Sequence, residues 1–188
     1  MTAARAQPVL YLVVCAAPPT RAIHQLVELL QRDGWTVCVI ATPTAASWLD
    51  TAALAEQTGQ PVRYEYKHPD DPDVLPHADA IVIAPATFNT VNKWAAGISD
   101  TFALGILNEA LGLRLPIVVA PHAKASLAAH PAFQDGLNRL AGCGVTLLEN
   151  ELLKGLDDAD ATSTFNWSPL LDELTAHRPW PHLHQRPP

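Results

Sequence analysis

Three short stretches of this chain combine small residues with hydroxyl and amide side chains: Cys15-Ala16-Ala17-Pro18-Pro19-Thr20, Ala41-Thr42-Pro43-Thr44-Ala45 and Ala84-Pro85-Ala86-Thr87-Phe88-Asn89-Thr90. Few charges fall in them. Small side chains let a flat, mostly apolar ring approach the backbone, while hydroxyls and the unpaired N–H groups of a helix start favour an anion such as phosphate. The same residue types also build plain turns and N-caps, so a purely structural role is the alternative. Groups able to move a proton are His68, His77, Asp71 and His122, and Lys124 offers a charge to an anion. An imidazole titrates near neutral pH, whereas an exposed aspartate, at about 3.9, is a weak base. Each of these is equally a solvated loop residue.

These stretches matter only if elements bring them together. Apolar runs rich in β-branched residues predict strands buried on both faces at Val9–Val14, Thr36–Ala41, Ala80–Ala84 and Pro116–Ala120, with a weaker one at Val145–Leu148. Helical spacing predicts helices over Thr20–Arg32, closed by Asp33-Gly34, and over Trp48–Gln57, Asn89–Gly97, Thr101–Leu111, Pro131–Ala141 and Ser168–Ala176. Val62–Tyr66 reads as a strand or as part of a loop, and Lys67–His77, with several Pro and Asp, as a loop. Alternating strands and helices with short joints predict a single doubly wound, flavodoxin-like (Rossmann-like) α/β domain with a parallel sheet. The domain is expected over 1–176, followed by a mobile Pro- and His-rich tail over 177–188. In such a sheet, ligands sit beyond the carboxyl ends of the strands, which is where all three stretches fall.

The 188 residues are 48% hydrophobic with a formal charge of −7, which fits one globular core and argues against a broad nucleic-acid surface. Cys15, Cys38 and Cys143 lie far apart without CxxC spacing, and with no secretory pattern this predicts reduced thiols in a cytoplasmic protein. The first apolar run, Val9–Ala17, is far short of the roughly 20 residues a membrane span needs, so no membrane partner is expected. No GxGxxG follows the first strand, which argues against a dinucleotide site. His177, His182 and His184 in the tail are thin evidence for a metal, and none is assigned.

Ala84-Pro85-Ala86-Thr87-Phe88-Asn89-Thr90, followed by Lys93 and Ala96-Gly97-Ile98-Ser99-Asp100, closely resembles the APATANT…K…NGISD pattern of the flavoproteins that include phosphopantothenoylcysteine decarboxylase. Gln31–Ala45 and His130–Val145 resemble the second-strand region and the last helix and strand of that family, so the likeness spans roughly Val9 to Glu149. It implies FMN as cofactor. Thr42 matches the hydroxyl residue after the second strand that contacts FMN. Ala86, Thr87 and Asn89 match the loop holding the ring and ribityl chain, with Asn89 also facing substrate. Ser99 and Asp100 match a pair near the cofactor and the subunit contact, or else cap the next helix. Ala16 and Thr20 fall in the first loop. The resemblance further implies a small-molecule substrate and self-association as a trimer or larger homo-oligomer.

Departures from the pattern bear on chemistry. The family's first loop has G-[ST]-[IV]-A; here Pro18 and Pro19 remove two N–H donors, leaving other backbone groups, Thr20 or Arg21 for a phosphate. The family's catalytic His lies eight positions before the Asp opening the next strand, and Asp71 stands there before Asp79, with His68 and His77 nearby. The substrate-gripping PXMNXXMW motif aligns with Pro121–Ala128, where only the Pro survives and Lys124 replaces the Asn. The cysteine-bearing substrate flap has no recognisable counterpart after Glu149, and Cys143 reads as structural. Two functions follow from the resemblance: an FMN-dependent redox or oxidative decarboxylation enzyme with a changed substrate, or a flavin-binding regulatory subunit without catalysis. The prenyl-FMN-forming branch of the fold lacks its Gly/Ser-rich first loop and basic residues here.

Overall fold

The computed structural model describes residues 7–149 and 165–176. Five parallel strands form one sheet in the order β2-β1-β3-β4-β5: β1 Val9–Val14, β2 Thr36–Ala41, β3 Ala80–Ala86, β4 Ile117–Pro121 and β5 Thr146–Leu147. This is the flavodoxin-like order, in which the chain reverses its direction of growth between β1 and β3. Pairing runs from Val9↔Thr36 to Val14↔Ala41 and from Leu10↔Ala80 to Val13↔Ile83. The register between β3 and β4 shifts after Ile83, so that Ala86 pairs with Pro121.

Both faces of the sheet are covered, which is why its strands read as unbroken apolar runs. One face packs Leu10, Leu12, Val14, Val39 and Val82 under helices α1 (Ile23–Arg32), α3 (Thr51–Thr58) and α8 (Ser168–Ala176). On the other, Val13, Cys15, Ile81, Ile83 and Val119 lie under α4 (Phe88–Ala95), α5 (Phe102–Leu113) and α7 (Pro131–Gly142). Each fully buried aliphatic side chain contributes about 1.5–3 kcal/mol relative to exposure. Asp79 locks the start of the sheet. Its carboxylate accepts the Val9 N–H at 2.8 Å while its own N–H donates to the Val9 carbonyl at 2.8 Å.

The expected elements form with shifted ends. The first helix is preceded by a 3-10 turn, Pro18–Ala22, because the two prolines favour an N-terminal turn without N–H donors. The helix expected over Trp48–Gln57 forms as α3, its start set by the Asp50 cap, and a separate short helix, α2 (Pro43–Ala46), capped by Thr42, lies in the second strand-end stretch. Thr101 caps α5 through its hydroxyl and the Leu104 N–H at 3.3 Å, so neither Ser99 nor Asp100 is the cap. A further turn of helix, α6 (Ala125–Ala128), lies where no element was expected. Between β2 and β3 the chain first pairs Arg63 with Ile40 at the sheet edge. It then passes to the second face, where Leu75 and Ala78 pack. The tail over 177–188, and the region after Glu149 where a substrate flap was sought, lie outside the described residues up to Phe165 and beyond Ala176.

Candidate functional site

Three backbone hydrogen bonds stitch the strand-end loops side by side. The Thr42 N–H donates to the Val14 carbonyl at 2.9 Å, joining the ends of β2 and β1. The Cys15 N–H donates to the Pro85 carbonyl at 3.2 Å, and the His122 N–H to the Ala86 carbonyl at 2.8 Å. Thr42, Cys15, Ala86 and His122 therefore form one row across β2-β1-β3-β4, spanning the switch point. Ala16, Thr42, Thr87 and His122 are half-buried, and no charged side chain stands in that row.

Beneath this row the polar groups are internally paired. The Thr20 hydroxyl donates to the Cys15 carbonyl at 2.7 Å and accepts the Ala17 N–H at 3.3 Å. Thr20 is only 1% exposed, so it braces the first loop from inside rather than presenting a hydroxyl at its surface. The Cys15 thiol donates to Thr90 Oγ1 at 3.3 Å, and Thr90 Oγ1 lies 3.2 Å from Thr87 Oγ1. Burial raises the Cys15 thiol above its ordinary value, outweighing the opposing hydrogen bonds to Thr90 and Thr87. It is a neutral thiol at neutral pH.

Uncommitted donors face outward. The Thr42 hydroxyl oxygen accepts the Ala45 N–H at 3.3 Å, and among the described residues its own proton has no acceptor. Asn89 is exposed in the first turn of α4, and its side chain makes no hydrogen bond among the described residues. Thr87 occupies the N-cap of α4 without a side-chain cap bond, which leaves the first N–H groups of this eight-residue helix to an outside partner. This donor set fits a phosphorylated, flat, uncharged-ring cofactor: hydroxyls and helix N–H groups for the phosphate, Ala16 beside the ring, and Ala86, only 1% exposed, in the row beneath it.

The Ser99 region is a separate, tightly tied turn. Lys93 Nζ pairs with Asp100 at 2.6 Å, and Asn108 Nδ2 donates to Ser99 Oγ at 2.8 Å and to the Ile98 carbonyl at 3.0 Å. Tyr66 Oη reaches the Ser99 and Thr101 carbonyls at 3.2 and 3.1 Å. Sequence reading missed Asn108 and Tyr66, because each works through a partner remote in the chain.

The proposed proton-transfer groups separate into two places. His122 joins the strand-end row, with its ring edge-on to Phe165 at 6.1 Å. Lys124 is exposed at the start of α6. His68 and Asp71 lie on the exposed crossover after Tyr66, where the His68 N–H donates to Asp71 Oδ2 at 3.1 Å and the imidazole stands 3.4 Å from Asp70. None of the hydrogen bonds found for His68 or Asp71 reaches the strand-end loops. His77 is exposed and lines a cavity beside α5.

The family model described as Flavoprotein matches residues 4–177. A cysteine/cysteine sulfinic acid decarboxylase from an unknown prokaryotic organism is 34% identical over 112 residues, covering 55% of this chain and 30% of the relative. A coenzyme A biosynthesis bifunctional protein of Thermococcus kodakarensis is 28% identical over 151 residues, covering 76% of this chain and 37% of the relative. The chain thus spans about a third of these two relatives. A probable phosphopantothenoylcysteine decarboxylase of Streptococcus mutans is 29% identical, covering 64% of this chain and 68% of the relative. Among solved structures, the FMN-dependent cysteine decarboxylase SpaF superposes with a TM-score of 0.70 at 21% identity, covering 89% of this chain and 95% of that one. The FMN-binding protein AtHal3 gives 0.71 at 22% identity, covering 92% and 97%.

Proposed function

Because the chain belongs to the Flavoprotein family, we propose that it binds FMN across the β1/β3 switch point and uses it in a redox or oxidative decarboxylation step on a small substrate. The observation that carries this reading is the uncharged row Thr42–Cys15–Ala86–His122, closed by three backbone hydrogen bonds. Thr42, with its free hydroxyl proton, and the first turn of α4 would hold the phosphate; Thr87, Asn89, Ala16 and Ala86 would border the ring. FMN supplies the electron acceptance that the side chains cannot. Thr20 acts one step back, keeping the first loop in shape.

His122 is the proton-transfer group we favour. Its main chain is bonded to Ala86 and its half-buried ring meets Phe165 edge-on, which would keep the imidazole next to the cofactor row. Lys124, two residues on, offers a charge to a substrate carboxylate. Ser99 and Asp100, tied to Lys93, Asn108 and Tyr66, form a rigid exposed turn suited to a contact between copies in a trimer or larger homo-oligomer. His68 and Asp71 remain candidates that such an assembly would bring to the site.

Thr87→Trp tests the cofactor reading: the indole fills the ring site, so purified variant protein should lack flavin, and unchanged flavin content would refute the assignment. The exposed placement of His68 and Asp71 favours a second reading, a flavin-binding regulatory subunit. Anaerobic mixing with cysteine, cysteine sulfinic acid or phosphopantothenoylcysteine separates the two. Bleaching of the flavin and release of carbon dioxide indicate the enzyme. A flavin that stays oxidised with all three, with no carbon dioxide released, favours the subunit.

A further inference from the structure

A cavity of about 590 Å³ lies between α5 and the crossover that carries Arg63 to Ala78, with no strand-end loop residue in its lining. Its floor is Tyr11 and Ile81 on the sheet, and its α5 wall presents Phe102, Ile106 and Ala110. This size is within the range of pockets for small organic ligands. Arg63 stands at one end. Its guanidinium lies 5.1 Å from the Phe102 ring centroid and donates to the Glu65 carbonyl at 3.2 Å. Among the described residues it has no carboxylate partner within ion-pair distance, although a guanidinium carries five N–H donors. The other cation, Lys67, is already paired with Asp73 at 3.1 Å.

The remaining charges define what fits. Glu109 also borders the cavity, seven residues along α5 from Phe102, roughly 10 Å at 1.5 Å per residue. An anionic group at Arg63 is therefore separated from Glu109, whereas a second negative charge at the far end would be repelled. Tyr11 adds no free donor, because its phenol already donates to the Pro76 carbonyl at 2.8 Å. We propose that this cavity binds a small amphipathic monoanion, its carboxylate or sulfonate on Arg63 and its apolar body along Ile81 and Ile106. None of its walls belongs to the strand-end loops, so ligand binding here and flavin content are read separately.

The test is a fluorescence titration of the full chain with 8-anilino-1-naphthalenesulfonate, paired with the uncharged N-phenyl-1-naphthylamine. One saturable site per chain is expected for the sulfonate. Arg63→Gln should weaken the sulfonate about tenfold, the effect of one lost charge-assisted contact, and leave the neutral probe unchanged. Ile106→Trp should abolish both by filling the cavity, with Leu115→Phe as the second filling variant if the first fails to fold. Flavin content should be the same in every variant. No saturable binding overturns the proposal, as does a sulfonate affinity indifferent to Arg63→Gln. Sedimentation showing that a second copy covers this groove, with Ile106→Trp dissociating it, also overturns it.

Discussion

Gly105 sits inside α5, and a Cβ added there would lie 2.5 Å from Tyr66 Oη and 3.4 Å from its Cζ. Gly105→Ala therefore forces the phenol to retreat by roughly 1 Å to ordinary contact. Retreat sacrifices the hydrogen bonds to the Ser99 and Thr101 carbonyls, together about 1 kcal/mol for an exposed hydroxyl, and loosens the edge contact with Phe102 at 5.6 Å, worth about 0.5–1.5 kcal/mol. Against this, Ala in place of Gly in a helix gains up to about 1 kcal/mol. The single variant should thus be near neutral or destabilised by about 1 kcal/mol. In a Tyr66→Phe background the hydroxyl is gone and only the 3.4 Å contact remains, so the same substitution should stabilise by nearly 1 kcal/mol. A double-mutant cycle by urea unfolding should give a coupling of about 1–2 kcal/mol between positions 66 and 105. Additivity within about 0.4 kcal/mol would refute the latch. Because this latch anchors the segment bearing His68 and Asp71, its loosening should also speed proteolysis of that segment.

Three further outcomes follow from other contacts. Thr90→Val should cost about 1–2 kcal/mol in chemical denaturation, since it leaves the buried Cys15 thiol and the Thr87 hydroxyl without their shared partner; an unchanged midpoint would remove that chain from the account. Asp79→Ala should cost about 1–3 kcal/mol by leaving the buried Val9 N–H unpaired, with Asp79→Asn recovering part of it. Burial lifts the Cys38 thiol from 9.0 to about 11, so the unfolded chain ionises before the folded one. Its contribution is present below pH 9 and lost as pH rises toward 11; Cys38→Ala should flatten that part of the stability–pH curve, and an unaltered slope would contradict the burial.

Much of the fold could be read from the residues because both faces of the sheet are covered. Val9–Val14 and Thr36–Ala41 are strands from end to end as expected, and Ser168–Ala176 is a helix with the expected ends. Ends moved where local chemistry competed with periodicity: Pro18 and Pro19 made a 3-10 turn, and the Asp50 cap set the start of α3 at Thr51 rather than at Trp48. Side-chain direction was harder to foresee. Thr20, taken as a ligand group, turns inward to Cys15, because its 3-10 turn folds the hydroxyl under the loop. Thr42 and Asn89 keep theirs outward. The bonds of Tyr66 to Ser99 and Thr101, and of Asn108 to Ser99, left no trace in spacing, since each depends on tertiary packing of an otherwise ordinary residue.

Hydrogen–deuterium exchange of the flavin-stripped chain, recorded with and without FMN, addresses the cofactor site most directly. Binding at the switch point predicts slowed exchange in 15–21, 42–46 and 86–91. Protection confined to the crossover and α5, or no protection anywhere at saturating FMN, would contradict the placement of the cofactor at the ends of β1, β2 and β3.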